Sequence, residues 1–152
     1  FSARGVRLID FGLSIDRRLY EEGTTFVGRS GTSSFECAEM KEGRAWTEQG
    51  DLHALCGVIH ALLHNEYMEV EAKAEEGQRL VRMPRMGFKR YWQVSMWTEF
   101  FSSLLNVGSC EQVPDKRTRR EELEGYFERN ESKRSAVRMA LIKQELLLHQ
   151  PQ

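Results

Sequence analysis

The sequence predicts a mainly α domain with one short strand region at its start and about five helices. Three segments carry that expectation. The run 51–63 (DLHALCGVIHALL) is apolar on almost every side, 91–105 (YWQVSMWTEFFSSLL) repeats large apolar residues at helical spacing, and 132–148 is amphipathic with a helical period. At 152 residues the chain has the length of one ordinary domain. A folded chain of this size removes roughly 70% of its unfolded surface from water, so a single core is attainable.

From the start, Gly5-Val6-Arg7-Leu8-Ile9-Asp10 alternates and is rich in branched residues, which predicts a short strand that ends at Asp10-Phe11-Gly12 and turns. Between 13 and 40, glycine, hydroxyl and small residues crowd together without a sustained period. This reads as a long loop with one helical turn near 36–41, and loops of that length inside compact domains are usually functional. Thr47 opens the next helix, and the apolar run 51–63 makes it a core helix. The stretch 65–84 is polar and irregular apart from Tyr67-Met68-Glu69-Val70, and its acidic piece, 69–76, reads as solvated surface. Within 91–105, either Trp92, Met96 and Phe100 or Trp97, Phe101 and Leu104 form a packing face. The segment 115–130 begins on an acid and carries a weaker stripe, Leu123, Tyr126 and Phe127, while 132–148 sets Val137, Leu141, Ile142, Glu145 and Leu148 around a last helix.

Composition narrows the function classes. Hydrophobic residues at 40%, charged residues at 30% and three prolines exclude a wholly disordered or fibrous chain. Lys plus Arg number 22 against 23 Asp plus Glu, so no global field draws in a polyanion or a membrane surface. Cys37, Cys56 and Cys110 are odd in number and share no CxxC spacing, which predicts free thiols in a reducing interior. No apolar run approaches the roughly 20 residues that span a bilayer, and FSARGVR lacks the apolar stretch of a signal peptide, so a soluble intracellular protein is expected. The chain begins at Phe1, directly ahead of a strand-like segment, which predicts that it is cut from something longer.

The sharpest local signal is the apolar Leu8-Ile9 running into Asp10-Phe11-Gly12. In protein kinases such a DFG aspartate sits where a strand ends and chelates the magnesium that bridges the β- and γ-phosphates of ATP. A carboxylate suits the task because Mg²⁺ is a hard cation that prefers oxygen, and glycine lets the chain turn sharply. Alone, the triplet is as well explained by an ordinary Asp-x-Gly turn. Its context is more specific: Cys37-Ala38-Glu39 follows where kinases carry Ala-Pro-Glu, and Asp51 then opens the most apolar helix of the chain.

Here a resemblance becomes specific. The segments LIDFGLSID, GTSSFECAEM, WTEQGDLHALCGVIHALL, EYMEVE, MWTEFFSSLLN and the leucine-rich terminal helix, in order over 6–149, resemble the spindle-checkpoint serine/threonine kinases of the Bub family. That family's pseudokinase branch usually degrades DFG and the loop after it, and both are intact here. The resemblance implies a mainly α fold, the C-terminal lobe of a protein-kinase-like fold with a short β pair around DFG. The activation segment would cover 10–39, the C-lobe helices 47–130 and the C-terminal helix 132–149. It also assigns roles. Asp10 would bind magnesium, with Phe11 and Gly12 beside it in the ATP site. Thr32, Ser33 and Ser34 would lie in the loop that receives substrate, Ser33 at a position where the family can autophosphorylate. Glu39 would be the structural acid that ends the activation segment, and Asp51 the buried acid whose carboxylate accepts backbone amides of the catalytic loop.

Two departures stand out: Ala38 replaces the proline before Glu39, and no arginine near 113–115 stands ready to pair with Glu39, although Arg117 and Arg119 are close in sequence. The glycine-rich loop, the strand lysine with its glutamate and the catalytic loop would all precede DFG, so the N-lobe and catalytic loop are expected to be absent from these residues. The chain alone is then expected to transfer no phosphate. Its parent would phosphorylate Ser or Thr of chromatin-associated proteins, among checkpoint and kinetochore partners, at nuclear kinetochores, without direct contact to nucleic acid or membrane. The alternatives are a catalytically inactive pseudokinase or scaffold lobe and a stand-alone helical binding module. Two further motifs have plainer readings. His53, Cys56, His60 and His64 share one helix face and read as core residues rather than metal ligands. In 116–120 (KRTRR), Arg117 and Arg120 can pair with Glu121 and Glu124 one turn on, which makes a self-neutralised helix rather than a nucleic-acid patch.

Overall fold

The computed structural model describes residues 8–74, 80–112, 114–129 and 131–148. The elements run α1 (Ala38–Lys41), α2 (Gln49–His64), β1 (Val70–Ala74), β2 (Leu80–Pro84), α3 (Val94–Leu105), α4 (Lys116–Glu128) and α5 (Glu131–Leu148), with short 3₁₀ turns at Phe11–Leu13, Arg17–Leu19 and Ser33–Phe35. Two compact units result, one up to Pro114 and one from Asp115. Helices dominate, as the periodicity predicts.

In the first unit, α2 and α3 pack against each other because each offers an apolar stripe. Leu52, Cys56, Phe100, Phe101, Leu104 and Leu105 are buried there, joined by Met68 and Val81. A chain of rings extends this core: His64 meets Trp92 at 5.1 Å and Phe88 meets Phe101 at 5.2 Å. The observed face of α3 mixes the two that the spacing offered, Phe100 from one and Phe101 and Leu104 from the other. A satellite cluster of Cys37, Met40 and Trp46, with Phe26 against it, sits around α1. Burial pushes the Cys56 thiol up to about 12, so it stays protonated. On α2, His60 Nδ1 lies 3.1 Å from the Glu66 carbonyl oxygen and its ring stacks on His64 at 4.4 Å. No group of three or more metal-ligating side chains occurs among the described residues.

α2 is not apolar-packed all round. Leu52, His53, Cys56, Gly57 and His60 are buried, whereas Leu55, Val58 and Leu62 form an open stripe, Leu62 being 81% exposed. Leu55 and Val58 are about half exposed.

The strand pair lies elsewhere than predicted. Residues 8–10 carry no strand and are exposed, because a strand needs a pairing partner and none is present among the described residues; 1–7 lie outside them. The antiparallel pair is instead β1 with β2, in register Val70↔Pro84 through Ala74↔Leu80. This region, read from sequence as irregular solvated surface, is ordered from outside. Asn106, at the end of α3, accepts the Arg82 N–H through Oδ1 at 2.7 Å and donates through Nδ2 to the Arg82 carbonyl at 2.9 Å. One amide side chain thereby replaces a third strand along β2.

In the second unit, Asp115 caps α4, accepting from the N–H groups of Arg117 and Thr118. Arg117 pairs with Glu121 at 2.9 Å and Arg120 with Glu124 at 2.8 Å, so the basic run is neutralised as the spacing predicts. Leu123 and Tyr126 are half-buried and Ile142 is exposed; the side chains of Phe127, Val137, Leu141, Glu145 and Leu148 lie outside the described set.

His53 carries a pH dependence. Burial away from water, and next the Lys41 charge, lower its pKa to about 4 from 6.5. Because the folded pKa lies below the unfolded one, the unfolded chain takes up the proton first as pH falls. Stability is therefore fully present above pH 6.5 and declines towards pH 4, by at most about 3 kcal/mol at about 1.4 kcal/mol per pH unit. Urea midpoints at pH 7 and 4.5 check this: the difference should shrink in His53→Gln.

Candidate functional site

Asp10 stands at the entry to the first 3₁₀ turn with φ 62° and ψ 69°, a left-handed conformation that few non-glycine residues adopt. Asp and Asn adopt it several-fold more readily than other side chains, and such positions recur at functional sites. The Asp10 side chain makes no capping hydrogen bond and is exposed. Its Oδ1 lies over Gly12, where an added Cβ would sit 3.5 Å away. The turn closes with the Ser14 N–H donating to the Phe11 carbonyl at 3.0 Å and Ser14 Oγ donating to the same oxygen at 2.8 Å. Phe11 is exposed. A solvated, uncommitted carboxylate is a fitting hard donor for Mg²⁺, whose remaining positions phosphate oxygens and water would fill.

The segment that follows is exposed in its first part and tied down from Phe26 onward. Asp16 caps the second 3₁₀ turn by accepting the Arg18 N–H at 3.1 Å, and Arg17 reaches Glu48 ahead of α2 at 3.4 Å. Phe26 and Trp46 exchange backbone hydrogen bonds at 2.9 Å, and Trp46 Nε1 donates to the Gly28 carbonyl at 2.9 Å. Beneath the segment lies a cavity of about 280 Å³ that Leu13, Ile15, Phe35, Trp46 and Asp51 help to line. The residues just after Gly12 and the start of α2 are thus brought together.

Thr32 and Ser33 are exposed and Ser34 half-buried, at the tip and first turn of the loop that ends in α1. Phe35 anchors that tip. A Cβ at Gly57 of α2 would meet the Phe35 Cδ1 and Cε1 atoms at 2.9 Å, so the ring lies directly on the glycine. Glu36 is 4% exposed and accepts both ends of the Arg29 guanidinium fork, Nε at 2.9 Å and an Nη at 2.5 Å. That hydrogen-bonded pairing holds the Glu36 carboxyl below its usual range.

Glu39 is buried at 7% exposure, and its partner is Arg44, 3.2 Å away. Arg44 reaches it because the chain reverses at Gly43, φ 68°: the Arg44 N–H donates to the Glu39 carbonyl at 2.8 Å and the Gly43 N–H to that of Met40 at 3.4 Å, a glycine-centred helix stop. Arg44 also holds Glu42 at 2.7 Å, and Arg82 of β2 reaches Glu42 at 3.0 Å. The small helix and the strand pair are thus tied together. The arginines considered from sequence face their own helix: Arg117 pairs with Glu121 and Arg119 with Glu122. Removing the half-exposed Arg44 head group would leave the buried Glu39 carboxylate with only the weak Cys37 thiol as a side-chain partner among the described residues, at a cost of about 1 kcal/mol. Urea unfolding of Arg44→Met, with Arg44→Lys as the milder control, reads this loss.

Asp51 stands exposed on the first turn of α2 and helps to line the cavity; the catalytic-loop amides expected to cover it are not among the described residues. From the sequence, Gly28-Arg29-Ser30-Gly31 reads as plain flexibility and Glu36 as the start of a helical turn, whereas the two charged residues pair; Arg44 and Gly57 carried no role. Only Gly43, one residue past a helical turn, signalled that Arg44 would fold back.

No protein-family model matches the chain. It is similar to the mitotic checkpoint serine/threonine-protein kinase BUB1 of Arabidopsis thaliana, 42% identical over 128 residues, which cover 84% of this chain and 24% of that protein. It is 42% identical over 107 residues to the spindle assembly checkpoint serine/threonine-protein kinase bub1 of Schizosaccharomyces pombe, covering 70% of this chain and 10% of that protein. The mouse mitotic checkpoint kinase BUB1 is 36% identical over 130 residues, covering 86% of this chain and 12% of that protein. The chain therefore spans about a quarter or less of the length of these relatives. Among solved structures, the BubR1 kinase domain matches with a TM-score of 0.72 and 37% identity over 81% of this chain and 36% of that one.

Proposed function

Because the chain belongs to the Bub family of checkpoint kinases and has the fold of a kinase C-terminal lobe, we propose that in the whole protein it helps transfer the γ-phosphate of ATP to Ser or Thr of protein substrates in spindle-checkpoint signalling. The observation that carries this reading is Asp10: an exposed carboxylate with a left-handed backbone at the start of a loop tied down from Phe26 onward. Bound there, magnesium would offset negative charge on the phosphates as the phosphoryl group moves.

The chain's own residues supply placement. Asp10 offers the oxygen donor. Phe35 on Gly57 and the Arg29–Glu36 pair fix the loop bearing Thr32, Ser33 and Ser34, where a substrate peptide would lie. Glu39, through Arg44, ties α1 at the end of that loop to the turn that follows it. The open stripe of Leu55, Val58 and Leu62 is where further parts of a kinase domain would be seated. Substrates associated with chromatin, checkpoint and kinetochore partners and a kinetochore location belong to the same proposal. No helix among the described residues is long and apolar enough to cross a membrane.

The test is transfer of labelled γ-phosphate from Mg-ATP to a Ser/Thr peptide library by a protein carrying the complete kinase domain. Transfer supports the reading. Tight partner binding without any transfer would instead make this a scaffolding lobe.

A further inference from the structure

Residues 29–36 form a closed unit whose two ends are charged and whose middle bears the exposed hydroxyls. Gly28 and Gly31, φ 100° and 84°, bracket Arg29 and Ser30 and let the chain bend back. The Phe35 N–H donates to the Thr32 carbonyl at 2.8 Å, which tightens the far side. Across the base, the fork-to-fork pair of Arg29 with Glu36 joins the first and last residues. The pair is lopsided: Glu36 is buried and Arg29 is 64% exposed in its side chain. Arg29 therefore fills no core space. What it supplies is a counter-charge for a carboxylate that has left water, and a fixed width for the loop.

We propose that Arg29 and Glu36 are a positioning pair that presets the substrate-receiving loop, so that peptide binding requires no prior ordering of residues 30–35. This rests on the kinase reading above and deepens it, because it names what holds the loop. A preorganised loop lowers the entropy lost when the peptide is seated, so the effect should fall on peptide KM and leave ATP binding alone.

The test uses a protein carrying the complete kinase domain and four variants: Arg29→Met, Arg29→Lys, Glu36→Gln and the double Arg29→Met/Glu36→Gln. Arg29→Met leaves the Glu36 charge buried and should lower stability. The double variant removes both charges and should recover part of that loss, since an unpartnered buried amide costs less than an unpartnered buried carboxylate. A purely structural pair would then regain peptide binding too. A positioning pair would not: peptide KM in the double variant should stay raised on the order of tenfold, with ATP KM within about twofold of the unmodified protein, and Arg29→Lys should be intermediate because it keeps the charge but loses the fork. Hydrogen exchange gives a readout independent of catalysis, and amides of 30–36 should exchange faster in the double variant. Unchanged exchange and unchanged peptide KM would overturn the proposal. Faster exchange with unchanged peptide KM would overturn the positioning role. Should the unmodified protein phosphorylate no peptide while exchange still quickens, the loop-closing role stands and the kinase reading beneath it falls.

Discussion

Asp10→Asn, in a protein carrying the complete kinase domain, is expected to lower phosphoryl transfer on the order of 10²–10³-fold while thermal stability stays unchanged. The two halves of this expectation have separate causes. Asparagine has the shape of aspartate and is among the few residues that tolerate a left-handed backbone, so φ 62° at this position is kept at little cost. The side chain is exposed and caps nothing, so no packing is lost either. What disappears is one negative charge and one hard oxygen donor, the two properties a magnesium ligand needs. Initial-rate assays at saturating Mg-ATP read the first half and a melting curve the second. Equal rates for the two proteins would remove Asp10 from the site.

The second large effect is expected at Gly57. A side chain there collides with the Phe35 ring at 2.9 Å, within the buried interior of α2. Two effects oppose each other. Replacing a helical glycine gains about 0.8–1 kcal/mol in backbone propensity for alanine, whereas overpacking costs about 1–3 kcal/mol. For Gly57→Ala the two nearly cancel. For Gly57→Leu the larger side chain drives the clash to the top of that range, with a net loss of about 1–2 kcal/mol. The Phe35 ring stands edge-on to Tyr67 at 6.0 Å, and Tyr67 is itself exposed, so the ring has an outward path. Its departure would carry the loop bearing Ser33 away from α2. Urea midpoints measure the loss, and adding Phe35→Ala to Gly57→Leu should recover part of it, since the two positions touch. A Gly57→Leu protein as stable as the unmodified one would show that the ring does not depend on this notch.

Much of this architecture was legible from the residues, and what was not has physical causes. α2 and α3 show up as periodic apolar runs because each buries a stripe, and periodicity reports a stripe directly. The start of α4 was legible through Asp115, since a capping acid acts within three residues. β1 and β2 were not, because much of the order in these short strands comes from pairing and from Asn106, 24 residues beyond Arg82. The expectation placed on Asp10 rests on its neighbours Phe11 and Gly12. The role expected of Asp51 came with the resemblance and not with the helix pattern, which records that a face is polar but not what covers it. The ion pairs of the loop were invisible for a related reason. Arg29 and Glu36 lie seven residues apart in a segment without a period, and only the bends at Gly28 and Gly31 bring them together. For Glu39 the partner was sought far along the chain, whereas the reversal at Gly43 supplies it five residues away.

A crystal structure of the complete kinase domain, soaked with Mn²⁺ and a non-hydrolysable ATP analogue, would locate the metal by its anomalous signal. The expected result is a peak in direct contact with an Asp10 carboxylate oxygen, at about 2.1–2.2 Å, slightly beyond the Mg–O distance. A nucleotide-bound metal elsewhere, with Asp10 still facing solvent, would contradict the assignment on which the rest depends.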